Sequence, residues 1–208
     1  MENFASIFIK SIFVDNMIFA YFLGICSFLA ISQNIKTSLK MGIAVTFVCV
    51  VSLPITYLLE IYVLREGALV WLSPDFATLD LSFLSLIFII AVTASITQLV
   101  EMVIEKTSPA LYSSLGIFLP LIAVNCAIVG ASLFMQQRVG NTLHGMGDVL
   151  SFGLGSGIGW LLAIVGLAAI REKMEYSDVP KPLRGLGITF ITTALMGLAF
   201  MSFSGLNI

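Results

Sequence analysis

Charge is what this chain has least of. Only 11% of its 208 residues are charged and 59% are hydrophobic, whereas a soluble domain carries about 25% charged residues. The shortage excludes a water-soluble fold of this length, which could not hide so much apolar surface. The formal net charge is −2, so no basic face invites nucleic acid. Histidine occurs once, as His144 in a polar loop, and an exposed loop histidine is ordinarily no catalyst. A nucleophile–base pair, a P-loop and a dinucleotide glycine motif are all lacking. The opening Met1-Glu2-Asn3-Phe4 has no basic cluster, which argues against a removed secretory signal and keeps the first apolar stretch in the protein. Cysteine is also sparse. Cys26, Cys49 and Cys126 are an odd number in apolar surroundings, which excludes a disulfide framework and leaves small buried hydrophobes or ligands.

Long apolar runs are abundant. A membrane helix needs about 20 mostly apolar residues, and six stretches qualify, at residues 4–31, 39–64, 81–104, 109–135, 149–170 and 186–203. They predict an all-α integral membrane protein, one membrane domain over 1–208. Polar breaks separate them: Gln33-Asn34 with Lys36; Arg65-Glu66-Gly67 and Ser73-Pro74-Asp75, with Trp71 as an interfacial anchor; Glu105-Lys106 before Pro109; Gln136 to Asp148; and Arg171 to Arg184. Lys36, Lys40, Lys106, Arg171, Lys173, Lys181 and Arg184 fall on one side, and Lys10, Arg65 and Arg138 on the other. Basic residues mark the cytoplasmic side, so both termini are expected on the periplasmic side.

Six spans also divide into two sets of three, which would point in opposite directions across the membrane. Phe22–Ala30 aligns with 122–130, and 88–93 aligns with 190–195, at nearly constant offset. Two inverted three-helix repeats follow, about 1–106 and 107–208. The first and fourth spans read as interrupted: Asp15-Asn16 and Gly24 in one, Pro120 and Asn125 in the other. Broken helices at matching places of inverted halves point to a midplane site. Each break lies beside a cysteine, Cys26 and Cys126, and these are the candidate cofactor- and metal-binding residues. Two thiolates near a pseudo-twofold axis make half of a tetrathiolate site of the kind that holds an iron–sulfur cluster, so a partner would supply the other half. Cys49 has no counterpart in the second half and reads as packing. Asp15, Glu60 and Glu101 lie in or at the ends of spans, where carboxylates invite functional hypotheses.

Several stretches carry a resemblance. They are Phe22-Leu-Gly-Ile-Cys26, Leu115-Gly-Ile-Phe-Leu-Pro120, Val124-Asn125-Cys126-Ala127, Gly155-Ser-Gly-Ile-Gly159-Trp160, Arg171-Glu-Lys-Met, Tyr176-Ser-Asp-Val-Pro180 and Leu183-Arg-Gly-Leu-Gly-Ile-Thr-Phe190. Over nearly its whole length the chain resembles the membrane-subunit family shared by the bacterial Na+-translocating NADH:quinone oxidoreductase and the Rnf electron-transport complex. The Tyr176–Pro180 loop and the ending 200–205 favour the E-subunit branch of the quinone reductase over the A-subunit branch of Rnf. Residues 69–79 diverge.

The resemblance implies an electron-transferring component of a redox-driven Na+ pump, a translocase, with no independent activity. It implies pairing with a similar D subunit in opposite orientation, in a bacterial inner-membrane complex that also holds A, B, C and F subunits. It further implies an iron centre, a 2Fe–2S cluster, held between the D subunit and this chain by two cysteines from each, here Cys26 and Cys126. Electrons would cross from the cytoplasmic NADH-oxidising flavoprotein toward a periplasmic flavin and return through further flavins to ubiquinone. NADH, flavins and ubiquinone would belong to other subunits. Three other readings compete: the Rnf subunit working with ferredoxin, a small inverted-repeat secondary transporter, and a membrane anchor without chemistry.

Overall fold

The computed structural model describes residues 4–64, 82–107, 112, 119–123 and 125–205. Its helices are α1 (Phe4–Phe13), α2 (Ile25–Ile31), α3 (Ile35–Leu59), α4 (Ser85–Thr107), α5 (Leu119–Ala123), α6 (Cys126–Arg138), α7 (Met146–Met174) and α8 (Leu186–Met201). A π-helical turn, Glu60–Leu64, extends α3, and 3-10 turns precede α4 and follow α8. Among the described residues there is no strand, only an isolated bridge between Val139 and Leu143. The expected loop with Arg65, Trp71 and Ser73-Pro74-Asp75, and Pro109, lie outside the described residues.

Four helical stretches are long and apolar enough to cross a membrane: Ile35–Leu64, Ser85–Lys106, Pro120–Arg138 and Met146–Met174. At 1.5 Å per residue, the 29 residues of α7 reach about 43 Å, more than the roughly 30 Å hydrocarbon layer. The expected first span is two pieces, α1 and α2, and the expected sixth is the 16-residue α8 with its 3-10 extension. Ile43, Phe47, Leu99, Val103, Leu195 and Leu198 are all exposed. Such apolar exteriors are unsuited to water and suited to lipid.

The helix α7 is the spine, packed chiefly on α3 and then on α1. Its glycines explain how. Gly153 and Gly157, four apart and so on one face, meet α3: a Cβ built on Gly157 would stand 2.7 Å from Thr46 Cα. Gly155 and Gly159 present the other face to α1, with a built Cβ 2.9 Å from Phe8 O and 3.0 Å from Ile12 O respectively. Small residues let backbones approach closely, and in a membrane that contact is the main source of helix association. Cys49 is buried in the α3–α7 seam, its carbonyl 3.4 Å from a Cβ built on Gly153. It is a packing residue, as the lack of a counterpart suggested.

Candidate site at the two helix breaks

Both expected interruptions are present. In the first span, α1 ends at Phe13 and Asn16 organises the turn beyond it. Its Nδ2 donates to Ile12 O at 3.1 Å and Gly159 O at 2.9 Å, while its Oδ1 accepts from the amides of Ile18 and Phe19. The bonds with Ile12, Ile18 and Phe19 satisfy backbone groups at the break, a requirement in a medium without water, and the bond to Gly159 O ties the break to α7. The chain turns through Phe22, at φ 56°, and Gly24, at φ 79°, and becomes helical again at Ile25. Cys26 is the second residue of α2.

In the fourth span, helix ends at Ala123 and resumes at Cys126. Asn125 is the N-cap, its Oδ1 accepting from Ala127 N at 3.0 Å, the usual service of asparagine at that position. Pro120 lies within α5, three residues before that helix ends at Ala123. Cys126 is the first residue of α6.

The two breaks touch. A Cβ built on Gly24 would lie 2.7 Å from Asn125 Oδ1, 3.0 Å from Ala127 Cβ and 3.1 Å from Trp160 Nε1. Leu23 fills the space above Gly130 in α6. Cys26 lies two residues from Gly24, and Cys126 lies between Asn125 and Ala127, so the two cysteines flank one junction. Trp160 is the central residue of Met146–Met174, which sets the junction at mid-depth of the longest helix.

Cys26 and Cys126 are thiols and both are exposed, unlike Cys49. The Nδ2 of Asn125 and the Nε1 of Trp160 are buried at the same junction without hydrogen-bond partners among the described residues. Thiolates are the ordinary ligands of iron–sulfur clusters, so the donor set fits such a group in kind. Among the described residues no three His, Cys, Asp or Glu side chains converge to hold a metal; the junction presents two thiols, Cys26 and Cys126.

Asp15 and Glu60 have structural employment. Asp15 is buried, receives Arg138 Nη1 at 2.8 Å and accepts from the Tyr21 hydroxyl at 3.2 Å. Glu60 accepts from Gln136 Nε2, tying α3 to α6. Glu101 is half-buried on α4, and His144 is exposed, its backbone N–H donating to Asp148. Sequence reasoning did not single out Asn16 as an organiser or Arg171 as a clamp. Asparagine inside an apolar run and a lone arginine ending one are the signals that mark them.

The chain matches the family described as "Rnf-Nqr subunit, membrane protein" over residues 4–207. Its relatives include proteins named as the E subunit of a Na(+)-translocating NADH-quinone reductase. One from Marinobacter nauticus is 55% identical, one from Psychromonas ingrahamii 54% and one from Rhodopirellula baltica 50%, each alignment covering 100% of both chains.

Proposed function

The chain belongs to the Rnf-Nqr family of membrane subunits, and on that premise we propose that it is the electron-transferring E subunit of a Na+-translocating NADH:quinone reductase, holding half of an intramembrane iron–sulfur centre through Cys26 and Cys126. The observation that carries this reading is the exposure of both thiols where two broken helices meet at mid-depth. Lipid offers no ligand to a thiolate, and a pseudo-symmetric D subunit would offer two.

In this reading the two breaks are equivalent points of an inverted repeat, and the D subunit faces them with its own pair. The A, B, C and F subunits complete a bacterial inner-membrane complex, with both termini of this chain periplasmic. The chain's task is to place its thiols. Asn125 caps α6 so that Cys126 stands in its first turn, at the junction. Gly24 does the same steric service for Cys26 by allowing the left-handed turn into α2 and the close approach to Asn125. A 2Fe–2S cluster bound there would supply one-electron transfer across the apolar layer. The relatives' names, all of the quinone reductase, favour this over the Rnf branch.

The test is iron and acid-labile sulfide in the purified complex, wild type beside Cys26→Ser and Cys126→Ser. Serine is a harder, poorer donor for iron and nearly isosteric. Either variant should lose the centre, quinone reduction and Na+ export together, while NADH oxidation with artificial acceptors persists. A Cys126→Ser complex with full iron and undiminished quinone reduction would refute the assignment.

A further inference from the structure

The short helix α2, which carries Cys26, is too short to hold itself. Seven residues lie far below the length at which an isolated helix persists, and an irregular stretch precedes it. Both its ends are held by one neighbour. At the N-terminal end Trp160 of α7 stands against Gly24. At the C-terminal end Arg171, in the last turn of the same helix, donates through Nη1 to Leu29 O at 2.9 Å and to Ser32 Oγ at 2.7 Å. The spacing agrees: eleven residues of α7, from 160 to 171, rise about 16 Å, and 24 to 32 rise about 12 Å. The short helix is therefore met by α7 side chains at both its ends.

Arg171 answers a definite need. The last carbonyls of a helix lack intrahelical donors, and a cation at that end is favoured by the helix dipole. Leu29 O accepts from Arg171 and, at 3.3 Å, from the Ser32 hydroxyl, and Ile31 O accepts from the Ser38 hydroxyl at 3.1 Å. The arginine comes from α7, which packs extensively on α3 and α1. Its charge stands roughly 10 Å, about one seven-residue helix, from the turn that bears Cys26.

We propose that Arg171 is a positioning residue for Cys26: it fixes the height and tilt of α2, and so the place of the thiol, and adds a fixed positive charge to the surroundings of the centre. This rests on the iron–sulfur reading above. Groups around a cluster tune it through orientation and charge, so the effect is spectroscopic as well as structural.

The experiment uses the whole purified complex, wild type beside Arg171→Gln, Arg171→Lys and Ser32→Ala. It reads iron per complex, the electron paramagnetic resonance spectrum of the reduced centre and its midpoint potential. Absence of any iron–sulfur signal from the wild type defeats the reading on which this inference rests and shows the failure there. With a wild-type signal present, Arg171→Gln should broaden the spectrum, lower the potential and reduce iron at least twofold. Arg171→Lys keeps the charge but not the paired donation, so it should restore the potential and leave the broadening. Ser32→Ala, which removes one of the arginine's two contacts and the hydroxyl's own bond to Leu29 O but leaves Arg171 on Leu29 O, should broaden the spectrum less than Arg171→Gln. Should Arg171→Gln not assemble, the other two variants decide. A wild-type spectrum and potential in both Arg171→Lys and Ser32→Ala would overturn the proposal.

Discussion

Gly24 and Asn125 stand in contact, the left-handed glycine of one helix break against the capping side chain of the other. They are 101 positions apart in sequence, and each immediately precedes a half-helix that begins with a cysteine in its first turn. Displacing either cap should therefore move both half-helices, and with them both thiols.

Substitution of Gly24 by alanine tests that coupling. A left-handed backbone costs an L-residue about 1–2 kcal/mol, and the added Cβ would lie 2.7 Å from Asn125 Oδ1. Asn125 must move, and loss of its cap adds about 1 kcal/mol. Gly24→Ala should lower the thermal midpoint of the complex and reduce its iron content, although residue 24 is no ligand. Full iron at an unchanged midpoint would show that the breaks are not coupled.

Cys49 provides the internal control. It is buried between α3 and α7, away from the junction. Cys49→Ala removes one buried atom, at a cost of about 1 kcal/mol. Iron content and quinone reduction should stay at the wild-type level while the melting temperature falls slightly. Iron lost from this variant would mean that the cysteines have been sorted wrongly.

Much of this architecture was legible in the sequence because membranes impose simple rules. Length and apolarity find α3, α4 and α7, and Gly24 beside Cys26 and Asn125 beside Cys126 announce the breaks. In the fourth span Asn125 is the residue that caps the resumed helix, and its place just before Cys126 was the legible mark of the break. Contacts between distant residues were not legible. Arg171 finds Leu29 and Ser32 across roughly 140 positions, and Arg138 finds Asp15 across 123. Local pattern carries no record of such pairings. The two interleaved glycine faces of α7 were visible as spacing, but only packing shows which faces α3 and which α1.

The Asp15–Arg138 pair should be a stability element. Its side chains are 11% and 29% exposed respectively, so its loss should cost about 1–3 kcal/mol, less than the roughly 3–5 kcal/mol of a fully buried pair. Asp15→Asn would leave Arg138 with less compensation beside the first-span break, and should lower the melting temperature of the complex. Adding Arg138→Gln should recover part of the loss, because no guanidinium then remains to be compensated. Strictly additive effects of the two substitutions would show that the ion pair contributes nothing.

Exposure of the two junction thiols leads to the last prediction. In the chain alone, Cys26 and Cys126 open to its surroundings while Cys49 is enclosed. A membrane-permeant maleimide should therefore label the first two and spare the third when the chain is produced without the D subunit. In the assembled complex the partner's surface and the shared centre should cover the junction, so labelling at residues 26 and 126 should fall at least tenfold. Chelation of iron should then restore reactivity only as far as the interface admits the reagent, which separates protection by metal from protection by burial. Peptide mapping by mass spectrometry reads each cysteine separately. Equal labelling of Cys26 and Cys126 in the isolated chain and in the iron-replete complex would place both thiols against lipid rather than a partner, and the shared site would have to be abandoned.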